Sequence, residues 1–137
     1  MNAIMKNVKT DSKNEDLINF AQTIDFTELF EQIKNFTGIK CSFYQPEIQE
    51  DKSGVYINIM SADITRQAGL FAAILKKCYL HSFNNGVYRN GESGELGYGV
   101  NVNIRYEHKD GGSNGMDVVS AYYTESKGWI FRNAGER

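Results

Sequence analysis

Within the fourteen residues Tyr106–Val119, "YEHKDGGSNGMDVV", stand a histidine, two aspartates, a serine and three glycines. His108, Asp110 and Ser113 are the residue types of a base, an orienting acid and a nucleophile. Members of such a triad come from separated parts of a chain, and three groups on one short turn do not reach that geometry. A phosphate cradle needs glycines that run into the N-terminus of a helix. Here they run into "MDVVSAYYT", a strand pattern, and the GxxxxGK[ST] motif is absent. A calcium loop needs alternating acidic ligands and a distal glutamate, which this stretch lacks. The remaining reading is a hairpin turn, with Gly111, Gly112 and Gly115 free to take positive φ and Asp110 and Asn114 as turn formers.

Elsewhere the chemistry is sparse. There are two histidines, His81 and His108, and no Cys/His cluster with zinc spacing. No carboxylate pair stands out from the solvated ones. The sequence therefore points away from an enzyme, and no metal or cofactor is expected. Groups suited to recognition are more plentiful. Tyr88, Arg89 and Asn90 lie in a glycine-rich stretch, "NNGVYRNGESGELGYG", which Tyr98 closes. Asn101, Asn103 and Arg105 share the polar face of the strand that follows, and His108 ends it. Tyr, Arg, Trp and Asn recur at recognition surfaces, and aromatics beside arginines also stack bases. Tyr122, Tyr123 and Trp129 add aromatic surface nearby, with Trp129 read as core.

The elements that must position these groups follow from hydrophobic period. "EDLINFAQT" carries Leu17, Phe20, Ala21 and Ile24 at helical spacing. "IDFTELFEQIKNFTG" is a stronger helix. Asp25 caps it, Glu28 sits three residues on, Ile24 can staple to Leu29, and Gly38 stops it. Its stripe is Phe26, Leu29, Phe30, Ile33 and Phe36. "IKCSFY" and "GVYINIM" alternate as strands and suggest a hairpin across the loop around Pro46, Glu50 and Asp51. "ADITRQAGLFAAILKKCYLHSF" reads as a second main helix, with Ile64, Ala68, Phe71, Leu75 and Cys78 every three or four residues. The stretch 84–99 reads as a long loop, with Gly86–Arg89 as a short edge strand. "VNVNIRYEH" alternates most cleanly, and "MDVVSAYYT" and "GWIFR" follow as strands joined by "ESKG".

The expected fold is α+β: an antiparallel sheet of about five strands with two main helices on one face. Residues 1–14 form a flexible N-terminal segment and 15–137 a single domain. The chain has 137 residues, 41 % hydrophobic and 12 % aromatic, enough for a core without a staple. Cys41 and Cys78 read as small buried hydrophobes, not as a disulfide. A net charge of −2 and a pI of about 5.7 exclude a generically basic nucleic-acid binder and a strongly acidic mimic of one. No apolar run reaches membrane-spanning length, so the expectation is a soluble cytoplasmic protein with no membrane partner.

The stretch "VNIRYEHKDGGSNGMDVVSAYYTESKGWIF" resembles the C-terminal hairpin of small accessory proteins of phages and mobile elements. The likeness rests on a Tyr-x-His strand end, "DGGSNG", and an aromatic strand leading to Trp129. It implies a context in which such proteins inhibit host defence, as anti-CRISPR-like inhibitors do, or sequester signalling nucleotides. It carries no active site. The leading expectation is thus a non-enzymatic binding protein that occludes the working surface of a host defence protein. The binding residues would be Tyr88, Arg89, Asn90, Tyr98, Asn101, Asn103, Arg105 and His108. A second is a small-ligand binder for a nucleotide-like anion, with Arg89 and Arg105 on phosphate and Tyr88 or Tyr98 on the base. A third is a single-stranded nucleic-acid binder. The last strand or Gly86–Arg89 would leave an open edge, which invites a homodimer through the sheet.

Overall fold

The computed structural model describes residues 1–6, 8, 13–64 and 73–133. Its elements run β1 (Ile4–Met5), α1 (Glu15–Thr23), α2 (Thr27–Thr37), β2 (Lys40–Phe43), β3 (Glu47–Asp51), β4 (Gly54–Asn58), β5 (Ser61–Ile64), β6 (Leu75–Arg89), β7 (Leu96–His108), β8 (Ser113–Thr124) and β9 (Gly128–Asn133). Seven strands form one sheet in the order β1-β3-β4-β6-β7-β8-β9, and β2 pairs with β5 in a separate ribbon. The α+β class holds, but the sheet is larger than about five strands. It is also mixed, because β1 runs parallel to β3.

The two helices lie where their periodicity puts them, and both pack on the same face of the sheet. Phe26, at the entry to α2, meets Tyr98 and Trp129 edge-on, and Phe20 of α1 packs on Tyr123. Ile24, Phe26, Leu29 and Ile33 are wholly buried, each contributing about 2 kcal/mol of apolar burial. The Asp25 carboxylate accepts the Thr27 backbone N–H (3.0 Å) and hydroxyl (2.7 Å). Gly38 stops α2 in the left-handed region at φ 68°. Phe36 departs from the expected stripe and is 40 % exposed.

The second main helix expected over 62–83 is not present at either of its ends. Ser61–Ile64 is β5 and Leu75 opens β6, while 65–72, with Ala68 and Phe71, lie outside the described residues. Bulges explain the misleading pattern. Pairing of β6 with β7 slips between Leu75 and Lys77 and again between Leu80 and Ser82. Each extra residue stretches a spacing of two into three, so the inward residues Leu75, Cys78, Leu80 and Phe83 mimic a helical stripe. The expected hairpin of β2 with β4 is also replaced. The stretch read as a loop around Glu50 and Asp51 is β3, which pairs with β4 from Ile48↔Ile57 to Asp51↔Gly54. Its acidic residues hide a strand anchored by a single inward apolar residue, the buried Ile48. Ahead of α1, Ala3 is buried and Ile4 donates to the Pro46 carbonyl at 3.0 Å.

The long loop expected over 84–99 is instead the tip of a hairpin. β6 and β7 pair continuously from Asn84↔Asn101 to Arg89↔Leu96. Gly86–Arg89 is therefore the end of a central strand, not an edge. Among the described residues, β9 forms one edge of the sheet and the short β1 the other. Cys41 and Cys78 form no disulfide.

Candidate binding face

On β7 the inward side chains Tyr98, Val100, Val102 and Ile104 are buried beneath the helices. Their alternates Gly97, Gly99, Asn101, Asn103 and Arg105 therefore face the other way, onto a side over which no described helix lies. Cross-strand pairing extends this open face in rows: Asn84, Asn101, Ser120 and Arg132; then Gly86, Gly99, Tyr122 and Ile130. Tyr88, Tyr122 and Ile130 are 39 %, 43 % and 42 % exposed.

The glycines give this face its relief. A Cβ at Gly97 would sit 2.5 Å from Cζ of Tyr88, so the Tyr88 ring occupies the space that a side chain there would need. A Cβ at Gly99 would lie 3.4 Å from Tyr122 and 4.0 Å from Tyr88. The two rings thus flank a trough of about 370 Å³ floored by Gly86 and Gly99 and ended by Asn84 and Asn101. Ser120 donates to Oδ1 of Asn101 at 2.7 Å.

The turn at the tip of β6 and β7 is built by Asn90. Its Oδ1 accepts the N–H groups of Glu92 (2.9 Å) and Ser93 (3.0 Å), and its own N–H donates to the Glu95 carbonyl at 2.8 Å. Gly94 takes φ 75°. The Glu95 carboxylate accepts the hydroxyl (2.6 Å) and backbone N–H (3.0 Å) of Ser126 in the β8–β9 turn. Those bonds, the hydroxyl first, hold its pKa below the usual value.

The expected site residues divide accordingly. Tyr88, Asn101, Asn103 and Arg105 share the open face, where Asn103 donates to Asp117 at 3.3 Å. Arg89 lies on the helix side, ion-paired with Asp16 and bonded to the Gly94 carbonyl at 3.2 Å. The arginines thus stand on opposite faces, and the two-arginine phosphate pocket does not form. Tyr98 is 0 % exposed. It is a core residue and not a loop-closing contact, because odd and even positions of a strand point to opposite faces. Asn90 shapes its turn. The His108 ring lies over its own hairpin, 3.7 Å from where a Gly112 Cβ would be.

No protein-family model, curated protein or solved structure matches this chain.

The opening stretch resolves into a turn. The His108 N–H donates to the Gly112 carbonyl at 2.7 Å, and Gly111 takes φ 104°. Among the described residues no hydrogen bond joins His108 to Asp110 or Ser113, and no three His, Cys, Asp or Glu side chains converge as a metal site. No helix there is long and apolar enough to cross a membrane.

Sequence reasoning missed Asn84, Gly86 and Gly99, and it left Tyr122 outside the site. The signal was an i, i+2, i+4 series, Asn84-Gly86-Tyr88, hidden by reading its glycines as loop. It also missed Asn85. The Asn85 amide accepts the Ile57 N–H at 2.8 Å and donates to the carbonyls of Ile57 (2.9 Å) and Phe83 (3.1 Å). It stands in for a peptide group where β4 and β6 diverge beyond their single paired position, Val55↔Val87. A second cavity, about 510 Å³, opens there between Tyr56, Met60, His81 and Phe83.

Proposed function

We propose that this is a non-enzymatic binding protein whose open sheet face covers the working surface of a protein partner. The observation that carries this reading is the contrast between the two faces. Helices and core aromatics cover one, while the other exposes Tyr88, Tyr122 and Ile130 amid Asn84, Asn101, Ser120 and Arg132. Exposed aromatics set among polar groups are the composition of recognition surfaces. Arg105, on the same face and half-buried, adds a charged anchor at the far end of β7. A host-defence partner is the context that the resemblance of the C-terminal hairpin supplies. The open edge at β9 supports a homodimer by strand pairing.

The test is retention of a host protein on immobilised chain. Wild type and Phe36→Ala, altered on the helix side, retain the same partner. Tyr88→Ala/Tyr122→Ala and Arg105→Ala lose it while keeping the wild-type circular dichroism spectrum. Equal retention by all four sinks the reading. The anion-capture alternative has no such support, because the arginines it needs stand on opposite faces.

A further inference from the structure

We infer that the trough between Tyr88 and Tyr122 binds a neutral, flat heteroaromatic ring of the nucleobase kind. The trough lies within the open face proposed above for a protein partner, but the inference rests on the trough's own geometry and stands without that partner.

Three observations converge on that ligand. First, the two tyrosine rings stand on either side of Gly99, and the floor between them is glycine backbone. A flat ring gains stacking area from such walls whatever its base identity. Second, polar groups gather at one end only. Asn84 is exposed and makes no side-chain hydrogen bond among the described residues, which leaves its amide donor and acceptor to a ligand. Its cross-strand neighbour Asn101 has its oxygen engaged by Ser120, which leaves its NH₂ group as donor. Adjacent amide donors and acceptors match the polar edge of a base, as in asparagine recognition of adenine. A sugar, with hydroxyls around its whole rim, would leave most of them unmet against the apolar walls.

Third, no charged side chain among the described residues lines the trough. The open-face cation in the Asn101 row is Arg132, two strands away, which is roughly 10 Å at ordinary strand spacing. The ring is therefore recognised as a base or nucleoside, and a phosphate adds nothing to its binding.

Gly86 supplies a clean test. A Cβ there meets nothing within 4 Å and its φ is ordinary, so Gly86→Val fills the trough without straining the strand. Adenosine, guanosine, cytidine, uridine, adenosine monophosphate and methyl glucoside are titrated into the purified chain and followed by ¹⁵N–¹H NMR. The expected result is saturable shifts at Gly86, Gly99 and Asn101 with at least one nucleoside. Its affinity falls about tenfold or more in Gly86→Val and in Asn84→Leu, with both variants folded by the same spectra. The monophosphate matches adenosine. No shifts with any nucleoside, undiminished binding in Gly86→Val, binding of methyl glucoside alone, or a monophosphate more than about tenfold tighter than its nucleoside would each overturn the inference. Loss of protein-partner retention with nucleoside binding intact bears on the proposed function and leaves this site standing.

Discussion

The Tyr98 phenol lies wholly inside the core, edge-on to Phe26 and Trp129, and its hydroxyl has no hydrogen-bond partner among the described residues. Burial alone pushes its pKa far above the ordinary phenol value. The folded form therefore holds its proton while the unfolded chain ionises above about pH 10. This contribution to stability is complete below that pH and is lost as pH rises beyond it. Tyr98→Phe should be about 1 kcal/mol more stable in urea at neutral pH, since it removes a buried unpaired hydroxyl. It should also resist alkaline unfolding better than wild type, read by circular dichroism between pH 9 and 12. A stability loss in Tyr98→Phe would show that the hydroxyl is satisfied. Tyr88, ten residues away, sits on the other face and depends on a missing Cβ. Gly97→Ala should displace its ring and change its NMR shifts, while stability moves by about 1 kcal/mol or less. At this scale the sequence named four residues that share the open face, Tyr88, Asn101, Asn103 and Arg105. It misplaced Tyr98 and Arg89 because the parity of β6 and the start of β7 stays invisible once their glycines are read as loop.

The elements divide by how local their signals are. α1 and α2 were legible because cap, stripe and stop lie within a dozen residues, and β7 was legible from unbroken alternation. β6 was not, because its two bulges convert a period of two into one resembling a helix. β3 was hidden because Glu47, Glu50 and Asp51 leave Ile48 as its one apolar signal. Its pairing with β4 became visible only through the turn that joins them, where Gly54 takes φ 136°. Between β4 and β6 the decisive element is one side chain. Asn85→Ala leaves the N–H and C=O of Ile57 without their partners and should cost about 2–3 kcal/mol in urea denaturation. Asn85→Asp keeps the acceptor but sets a carboxylate against the carbonyls of Ile57 and Phe83. That variant should gain stability as pH falls and the acid protonates, the reverse of an ordinary paired carboxylate. A flat pH profile for Asn85→Asp would refute the geometry.

At the scale of the molecule, the single tryptophan ties the last strand to the first helices. Its Nε1 donates to the Asp25 carbonyl at 2.9 Å, and its ring meets Phe26, Tyr98, Tyr123 and Phe131. Trp129 fluorescence should therefore report the docking of β9 against the α2 entry. The long β6–β7 and β7–β8 ladders bring together residues mostly a dozen or more positions apart, which predicts folding on a scale of roughly milliseconds to seconds in stopped-flow refolding. A microsecond phase carrying the whole fluorescence change would contradict this topology. The α+β class and one-sided helix layer were legible from composition and period. The seven-strand count was not, since β1 is only two residues long, β3 reads as an acidic loop and β6 reads as a helix followed by a loop. That order contains a fault line. Within the sheet, three strands, β1, β3 and β4, are tied to the other four by one ladder position and the Asn85 amide. Hydrogen exchange should then find two cooperative units, with amides along the β4 margin opening at lower free energy than those between β6 and β7. Under a pulling force on its ends, the molecule should part first along this seam, so that Asn85 acts as the latch of a two-panel sheet.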